Sequence, residues 1–188
     1  IDISIISSIS IARRLQNPLT ELSKLDPRDI VLSKNQQDYN IIKLEKVLRE
    51  TIISCAHAVG VNLNTASEKL LQYISGISPD VSRKIVDYRK EKGPFTSKEE
   101  LNNIQGIEEQ ALEQALGFLK IPDAKNPLDN SGIHPNLYDL VQKIADDHST
   151  TIDDLIGNNE KLEAVQWDKY KSDTLDEHSI NNHARFSR

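Results

Sequence analysis

The sequence predicts an all-α protein, and three observations carry that prediction. One is an internal repeat at a thirty-residue offset: Leu71-x-x-Ile74-x-Gly76-Ile77 returns as Leu101-x-x-Ile104-x-Gly106-Ile107, and downstream Val81, Ile85 and Tyr88 answer Ala111, Ala115 and Phe118. Another is composition. Leucine and isoleucine dominate the apolar set, aromatics make up only 5%, and strict alternation over strand-length windows is hard to find. The third is punctuation, since small polar capping residues, prolines and glycines fall at helix spacing along most of the chain.

Taken in order, Ile5 to Leu15 reads as a helical run that ends in Arg13-Arg14 and is stopped by Asn17-Pro18. A short helix follows through Leu22 and Leu25, and Asp26-Pro27 reads as an N-cap with proline at the first helical position. Residues 31–39 are polar and irregular, and read as a loop. Leu44, Leu48, Ile52, Cys55 and Val59 then recur at steps of four, four, three and four, which marks one long amphipathic helix closed by Gly60. Thr65-x-x-Glu68 and Ser97-x-x-Glu100 read as capping boxes that open the two repeats. Ser78-Pro79 starts the helix after the first glycine, and Gly93-Pro94-Phe95 is a turn whose aromatic packs back on the core. Past Ile121-Pro122 a Pro/Asn/Asp-rich linker runs to His134-Pro135. Helices are then expected over Leu137–Ala145, after Thr151-x-x-Asp154 as far as Gly157, and from Glu160 to Trp167.

Each repeat reads as a helix, a tight turn whose glycine takes φ > 0, and a second helix that begins at once. This is the sequence form of a helix-hairpin-helix pair. A helix N-terminus presents free N–H groups and partial positive charge, so such a turn can dock a phosphate, and two in tandem can track one nucleic-acid backbone without reading bases. The shared apolar face should be Leu71, Ile74, Ile77, Val81, Ile85, Leu101, Ile104, Ala111 and Ala115.

Charge limits the function classes. Residues 1–59 hold 8 basic and 7 acidic groups, residues 60–121 hold 8 and 9, and residues 122–188 hold 7 and 13. The repeat is therefore close to neutral and the last third repels phosphate, so binding by this chain alone should be weak. One cysteine, Cys55, leaves no internal disulfide and points to a reducing, cytoplasmic setting. No apolar run approaches the roughly 20 residues that span a membrane. The chain starts at Ile1 and has no methionine, as expected of a segment of a longer protein.

The candidate nucleic-acid-binding residues are Ser75, Gly76, Ile77 and Ser78 in the first turn, Arg83 and Lys84 on the helix after it, and Gly106 in the second turn. The second turn is the poorer dock, because Glu108 and Glu109 favour the helix dipole but repel an incoming phosphate. Bland readings compete throughout. Such turns also serve simply to join packed helices, Arg13-Arg14 reads as a solvated face, and Cys55-x-His57 lacks a second pair at zinc spacing, which leaves Cys55 as a buried core thiol. Asp146-Asp147 and Asp153-Asp154 point apart on their helices, and Trp167 with Tyr170 finishes a small core. No catalytic pairing, cofactor motif or metal set is identifiable.

Val61-Asn62-Leu63-Asn64-Thr65-Ala66, with Asp87-Tyr88-Arg89 and Gly93-Pro94-Phe95, resembles the hairpin pair of bacterial competence-type DNA-binding proteins. Ser10 to Leu19 (Ser-Ile-Ala-Arg-Arg-Leu-Gln-Asn-Pro-Leu), Ala58-Val59-Gly60-Val61, Asn126-Pro127-Leu128-Asp129-Asn130 and His134-Pro135 look like the Tex family of transcription accessory proteins, up to about Trp167. The pattern departs from that family at 31–38 and 183–188. The resemblance implies a non-catalytic central slice: a helical segment at 1–59 after a ribonuclease-H-like domain, the tandem helix-hairpin-helix domain at 60–121, and a second small, similar helical domain at 122–188 that leads to an S1 domain. It also implies binding to RNA or DNA, with the transcription machinery as a partner. A monomer with no cofactor, no metal and no membrane contact is expected. The alternative is an interaction scaffold that packs and positions neighbouring domains.

Overall fold

The computed structural model describes residues 2–24, 40–156, 158, 160, 161, 165 and 167–170. Asp26-Pro27, the 31–39 loop, Gly157 and residues 171–188 lie outside them.

Among the described residues three helices precede the repeat. α1 (Ile3–Gln16) is capped by the Asp2 carboxylate, which accepts from the Ser4 N–H at 3.0 Å. Asn17 ends it and caps α2 (Pro18–Leu22) by accepting from the Thr20 N–H at 3.1 Å. α3 (Ile41–Val59) starts at Asn40 and ends at Gly60, whose φ of 80° lets the chain leave the helix. Its buried residues are Ile52 and Ala56. The predicted stripe is thus only partly used: Leu44 and Leu48 are half-buried, and Val59 and Cys55 are exposed. Cys55 is therefore not a core thiol. Ala56, one position on, takes the buried place, which a larger side chain would overfill.

The repeat forms as a pair of hairpins. The first is α4 (Glu68–Leu71), the turn at 75–78 and α5 (Pro79–Lys92). The second is a 3₁₀ helix (Lys98–Asn103), the turn at 105–108 and α6 (Glu109–Leu116). The fold is mostly helical, with one exception among the described residues. β1 (Val61–Asn62) and β2 (Leu119–Lys120) pair in parallel, Val61 opposite Leu119, and tie the start of the pair to its end. Two-residue strands carry too little alternation to be seen in a sequence. The first capping box is displaced. The Thr65 and Ala66 N–H groups both turn back to the Asn62 carbonyl, so Ser67 becomes the cap and accepts from the Leu70 N–H at 3.1 Å. Ser97 does cap its helix, but Glu100 bonds the N–H and hydroxyl of Thr96.

Both hairpins share one core. Leu71, Ile74, Ile77, Val81, Ile85, Leu101, Ile104 and Ala115 are buried in it together with Leu63, Phe95, Leu119 and Ile121. Ala111 is only half-buried, and Leu112 fills the place expected for it. A landmark stretch of the sequence proves structural. Arg89 donates to the Leu63 and Ala66 carbonyls at 2.7 and 2.9 Å. Asn64 exchanges two hydrogen bonds with the Phe95 backbone at 2.8 and 2.9 Å, and Tyr88 stacks on Phe95 at 5.1 Å. The Asn-rich lead-in and the Gly-Pro-Phe turn are thus halves of one clasp.

The Pro-rich stretch at 122–135 is more than a linker. It coils into a 3₁₀ helix (Pro127–Asn130), and Leu128 and Ile133 enter a second core with Val141, Ile144, Ala145, Leu155, Val165 and Tyr170. That core is built from α7 (Tyr138–Asp147) and α8 (Ile152–Leu155), joined through Ser149 at φ 49°. Of the helix expected from Glu160 to Trp167, residues 160 and 161 are helical and residues 162–164 and 166 lie outside the described residues, while Trp167–Tyr170 is a 3₁₀ turn.

A buried polar junction joins the two cores. The Asp129 carboxylate accepts from the Tyr138 hydroxyl at 2.7 Å and the Lys98 N–H at 3.3 Å, while the Lys98 ammonium donates to the Ser131 carbonyl at 3.2 Å. Lys98 is 1% exposed. Burial pushes its ammonium down to about 8, with a partial offset from Asp129.

Three outcomes are expected. Ile85→Ala should cost on the order of 2–5 kcal/mol in urea unfolding, because it empties a fully buried site. At Gly76 (φ 86°) an added Cβ would lie 2.0 Å from the Ala111 carbonyl oxygen, whereas at Gly106 (φ 75°) it meets only the Lys84 ammonium at 2.7 Å. Both substitutions carry left-handed strain of about 1–3 kcal/mol, but Gly76→Ala should destabilise clearly more, since a carbonyl cannot swing aside. Finally, the folded pKa of Lys98 lies below its unfolded value of 10.5, so the unfolded chain binds more protons and stability should rise as pH climbs from about 8 toward 10. Chemical unfolding against pH should show that rise, and Lys98→Met should remove it.

Candidate nucleic-acid interface

The first turn is built by local chemistry. Gly76 supplies the left-handed step, Ile77 inserts into the core, and the Ser78 hydroxyl accepts from the Val81 N–H at 3.2 Å. Pro79 at the first helical position has no N–H to offer. Ser78 is thus engaged as a cap, and two of the N–H groups of this helix end are already spent or missing. Ser75, Ser78 and Asp80 are exposed, and Gly76 is half-buried. Behind the turn, the Ser75 N–H donates to His57 Nε2 on α3 at 3.4 Å.

At the second turn Gly106, Glu108 and Glu109 are exposed, and Glu108 makes no side-chain capping bond. The opening of α6 therefore lacks the side-chain cap that α5 has in Ser78.

The two hairpins exchange contacts. The first turn lies against the second hairpin, with the Cβ position of Gly76 facing Ala111 and Gln114. The second turn lies against the first hairpin, where the Lys84 ammonium donates to the Gly106 carbonyl at 3.2 Å. Residues 84 and 114 are equivalent in the repeat, as are 76 and 106. The pair is therefore a reciprocal clasp about a local pseudo-twofold.

This arrangement redistributes the basic side chains. Arg83 points to α4, with Nε 3.9 Å from the Glu68 carboxylate, and both groups are largely exposed. Lys84 pairs with Asp80 at 2.8 Å and reaches the second turn instead of its own. Its hydrogen bond holds the Asp80 carboxyl below the usual carboxylate range. Asp80, in the first turn of α5, gives the first hairpin a carboxylate near its helix start, as Glu108 and Glu109 do for the second. The electrostatic contrast drawn from Glu108 and Glu109 alone is thus smaller than the sequence reading had it. The repeat offset held the clue to Lys84, because a residue eight past one glycine faces the other glycine.

Among the described residues no group of three or more His, Cys, Asp or Glu side chains is placed to hold a metal ion, and no helix is long and apolar enough to cross a membrane. Cys55 and His57, two apart on α3, diverge: the thiol is exposed, while His57 stacks on Phe118 at 3.9 Å.

Comparison with known proteins agrees with this geometry. Residues 56–120 match the helix-hairpin-helix motif, and residues 126–182 match an HHH domain. The chain is 42% identical over 166 residues to the transcriptional accessory protein Tex of Neisseria gonorrhoeae, covering 88% of this chain and 22% of that protein. It is 39% identical over 162 residues to protein YhgF of Escherichia coli, covering 86% and 21%. It is also 35% identical over 121 residues to the human S1 RNA-binding domain-containing protein 1, covering 64% and 12%. The chain spans about a fifth of the length of the bacterial relatives it matches.

Proposed function

Since the chain belongs, over the stretch it shares with them, to the family of Tex and YhgF proteins, we propose that its hairpin pair binds nucleic acid through the sugar-phosphate backbone without reading base sequence. The observation that carries this reading is the reciprocal clasp. It presents two left-handed glycine turns, each leading straight into a helix N-terminus, at a fixed spacing with the Lys84 ammonium on one of them. Backbone N–H groups of the turns are the proposed donors. Arg83 is the basic side chain beside the first hairpin, and Lys84 the one at the second. In this reading the segment does no chemistry on what it binds, acts within a larger transcription accessory protein of the cytoplasm, and needs no cofactor.

A scaffold reading has one specific observation in its favour. The Ala111 carbonyl fills the space a side chain at Gly76 would need, so this glycine is required by packing whether or not a ligand approaches. The two readings separate in a salt titration. Counterion release gives a falling log–log slope when phosphates are held, and a pure scaffold gives no signal. Replacing Arg83 and Lys84 together with alanine should weaken binding to a mixed-sequence probe and flatten that slope by about one to two units. Glu108→Gln with Glu109→Gln should leave affinity unchanged or tighten it, because two like charges leave the phosphate's approach. A necessary Glu pair with a dispensable basic pair would favour the scaffold.

A further inference from the structure

We infer that His57 is a positioning residue for the first hairpin, holding its turn in place only while the imidazole is neutral. The turn at 75–78 is a short loop between two helices, and its backbone geometry sets where any phosphate-facing N–H points. From behind, its first N–H, that of Ser75, donates to His57 Nε2 at 3.4 Å. An imidazole can accept there only with Nε2 deprotonated, so the ring carries its proton on Nδ1. The ring itself is fixed. It lies flat on Phe118 with centroids 3.9 Å apart and planes 17° apart, and Phe118 immediately precedes β2. His57 thus joins α3, the end of the hairpin pair and the first turn through one side chain.

Protonation breaks this arrangement. An imidazolium has N–H groups at both ring nitrogens, and its Nε2–H would face the Ser75 N–H with no acceptor between them. Among the described residues no carboxylate is hydrogen-bonded or ion-paired with His57. Arg49 of α3 lies over Tyr73 at 5.6 Å, Lys69 and Glu68 belong to α4, the Lys120 stem lies over Gly60, and Glu113 on α6 bonds Asn136. Burial lowers the His57 pKa below its ordinary 6.5. The folded pKa being the lower one, the unfolded chain binds more protons, and stability linked to His57 is lost as pH falls through 6.5 and below.

The effect on binding rests on the function proposed above, whereas the positioning itself does not. The sign separates it from simple charge. Acid protonates histidines generally, and every added positive charge should tighten binding to phosphate. Loss of the turn's tether should weaken it.

The test uses the 188-residue chain and two variants. His57→Gln keeps a neutral acceptor and does not titrate, while His57→Phe keeps an aromatic face for Phe118 without an acceptor. Amide NMR and hydrogen exchange of Ser75 are followed from neutral to mildly acid pH, with fluorescence binding to a mixed-sequence duplex DNA at constant ionic strength. In the unaltered chain the Ser75 amide should shift with the His57 titration and lose protection several-fold, on the scale of one hydrogen bond. His57→Gln should be flat with pH, and His57→Phe should show the unprotected amide already at neutral pH. DNA affinity should fall several-fold in acid for the unaltered chain and not for His57→Gln. A Ser75 amide indifferent to the titration, or protected as normal in His57→Phe, overturns the inference, as does tighter binding in acid. A titrating Ser75 with no DNA bound at any pH refutes the proposed function and leaves His57 as the turn's positioning residue.

Discussion

The reciprocal contact between the hairpins is the constraint on which the rest of the molecule depends. Neither hairpin has a core of its own: α4 is one turn long, and its counterpart in the second hairpin is a 3₁₀ helix. Helices this short are unstable alone and gain their stability from packing. The clasp supplies that packing and demands close approach, which is why a glycine with positive φ faces the Ala111 carbonyl. The β1–β2 bridge and the Asn64–Phe95 exchange then close the pair at its ends. The distance and angle between the two turns therefore follow from core packing and not from loop flexibility. A backbone-tracking surface needs this property, because phosphates along a strand are themselves regularly spaced.

Electrostatics sets how such a surface operates. The hairpin region carries no excess of positive charge, and each helix start has a carboxylate close by. Long-range steering toward a polyanion is therefore weak here, and in the proposed reading short-range N–H donation has to dominate. Where the acidic last third begins, Lys98, Asp129, Ser131 and Tyr138 anchor the chain to the hairpin pair in a buried network. A buried lysine with few partners costs stability, yet its donors fix the register between the two cores in a way that apolar packing does not.

Much of this was legible in the sequence, and the failures have identifiable causes. The repeat located both turns and most of the core, because apolar residues at helical spacing report burial directly. Ser78-Pro79 gave the start of α5 correctly, since cap and proline act locally. Thr65 failed as a cap because Asn62, three residues back, captures the Asn64 N–H with its side chain and the Thr65 and Ala66 N–H groups with its carbonyl. Ala111 failed because α6 is rotated so that Leu112 faces inward. The 122–135 stretch reads as a linker by composition, yet Leu128 and Ile133 bury there, held by turns that prolines initiate. Lys84 illustrates the general limit. Sequence adjacency assigned it to its own turn, whereas its ammonium spans to the other one.

The N-terminal helices stand in contrast to this closed pair. α1 buries none of its residues, and Ile3 and Leu15 are 79% and 90% exposed. α3 is divided: toward its end Ile52 is buried and Ala56 packs into the hairpin core, while Ile41, Ile42 and Val47 near its start face solvent. A 19-residue helix is a rod of roughly 28 Å. Such a rod moves as a unit, so force applied at its exposed aliphatic end arrives at the end that carries His57. Because His57 holds the Ser75 N–H and rests on Phe118, one side chain of α3 ties the first turn and the residue before the closing strand together. The second turn, held by Lys84 from α5, has no such tie to α3. Whatever acts on α3 therefore acts unequally on the two turns, and that asymmetry follows from where single side chains land in a repeat whose backbone is nearly symmetric.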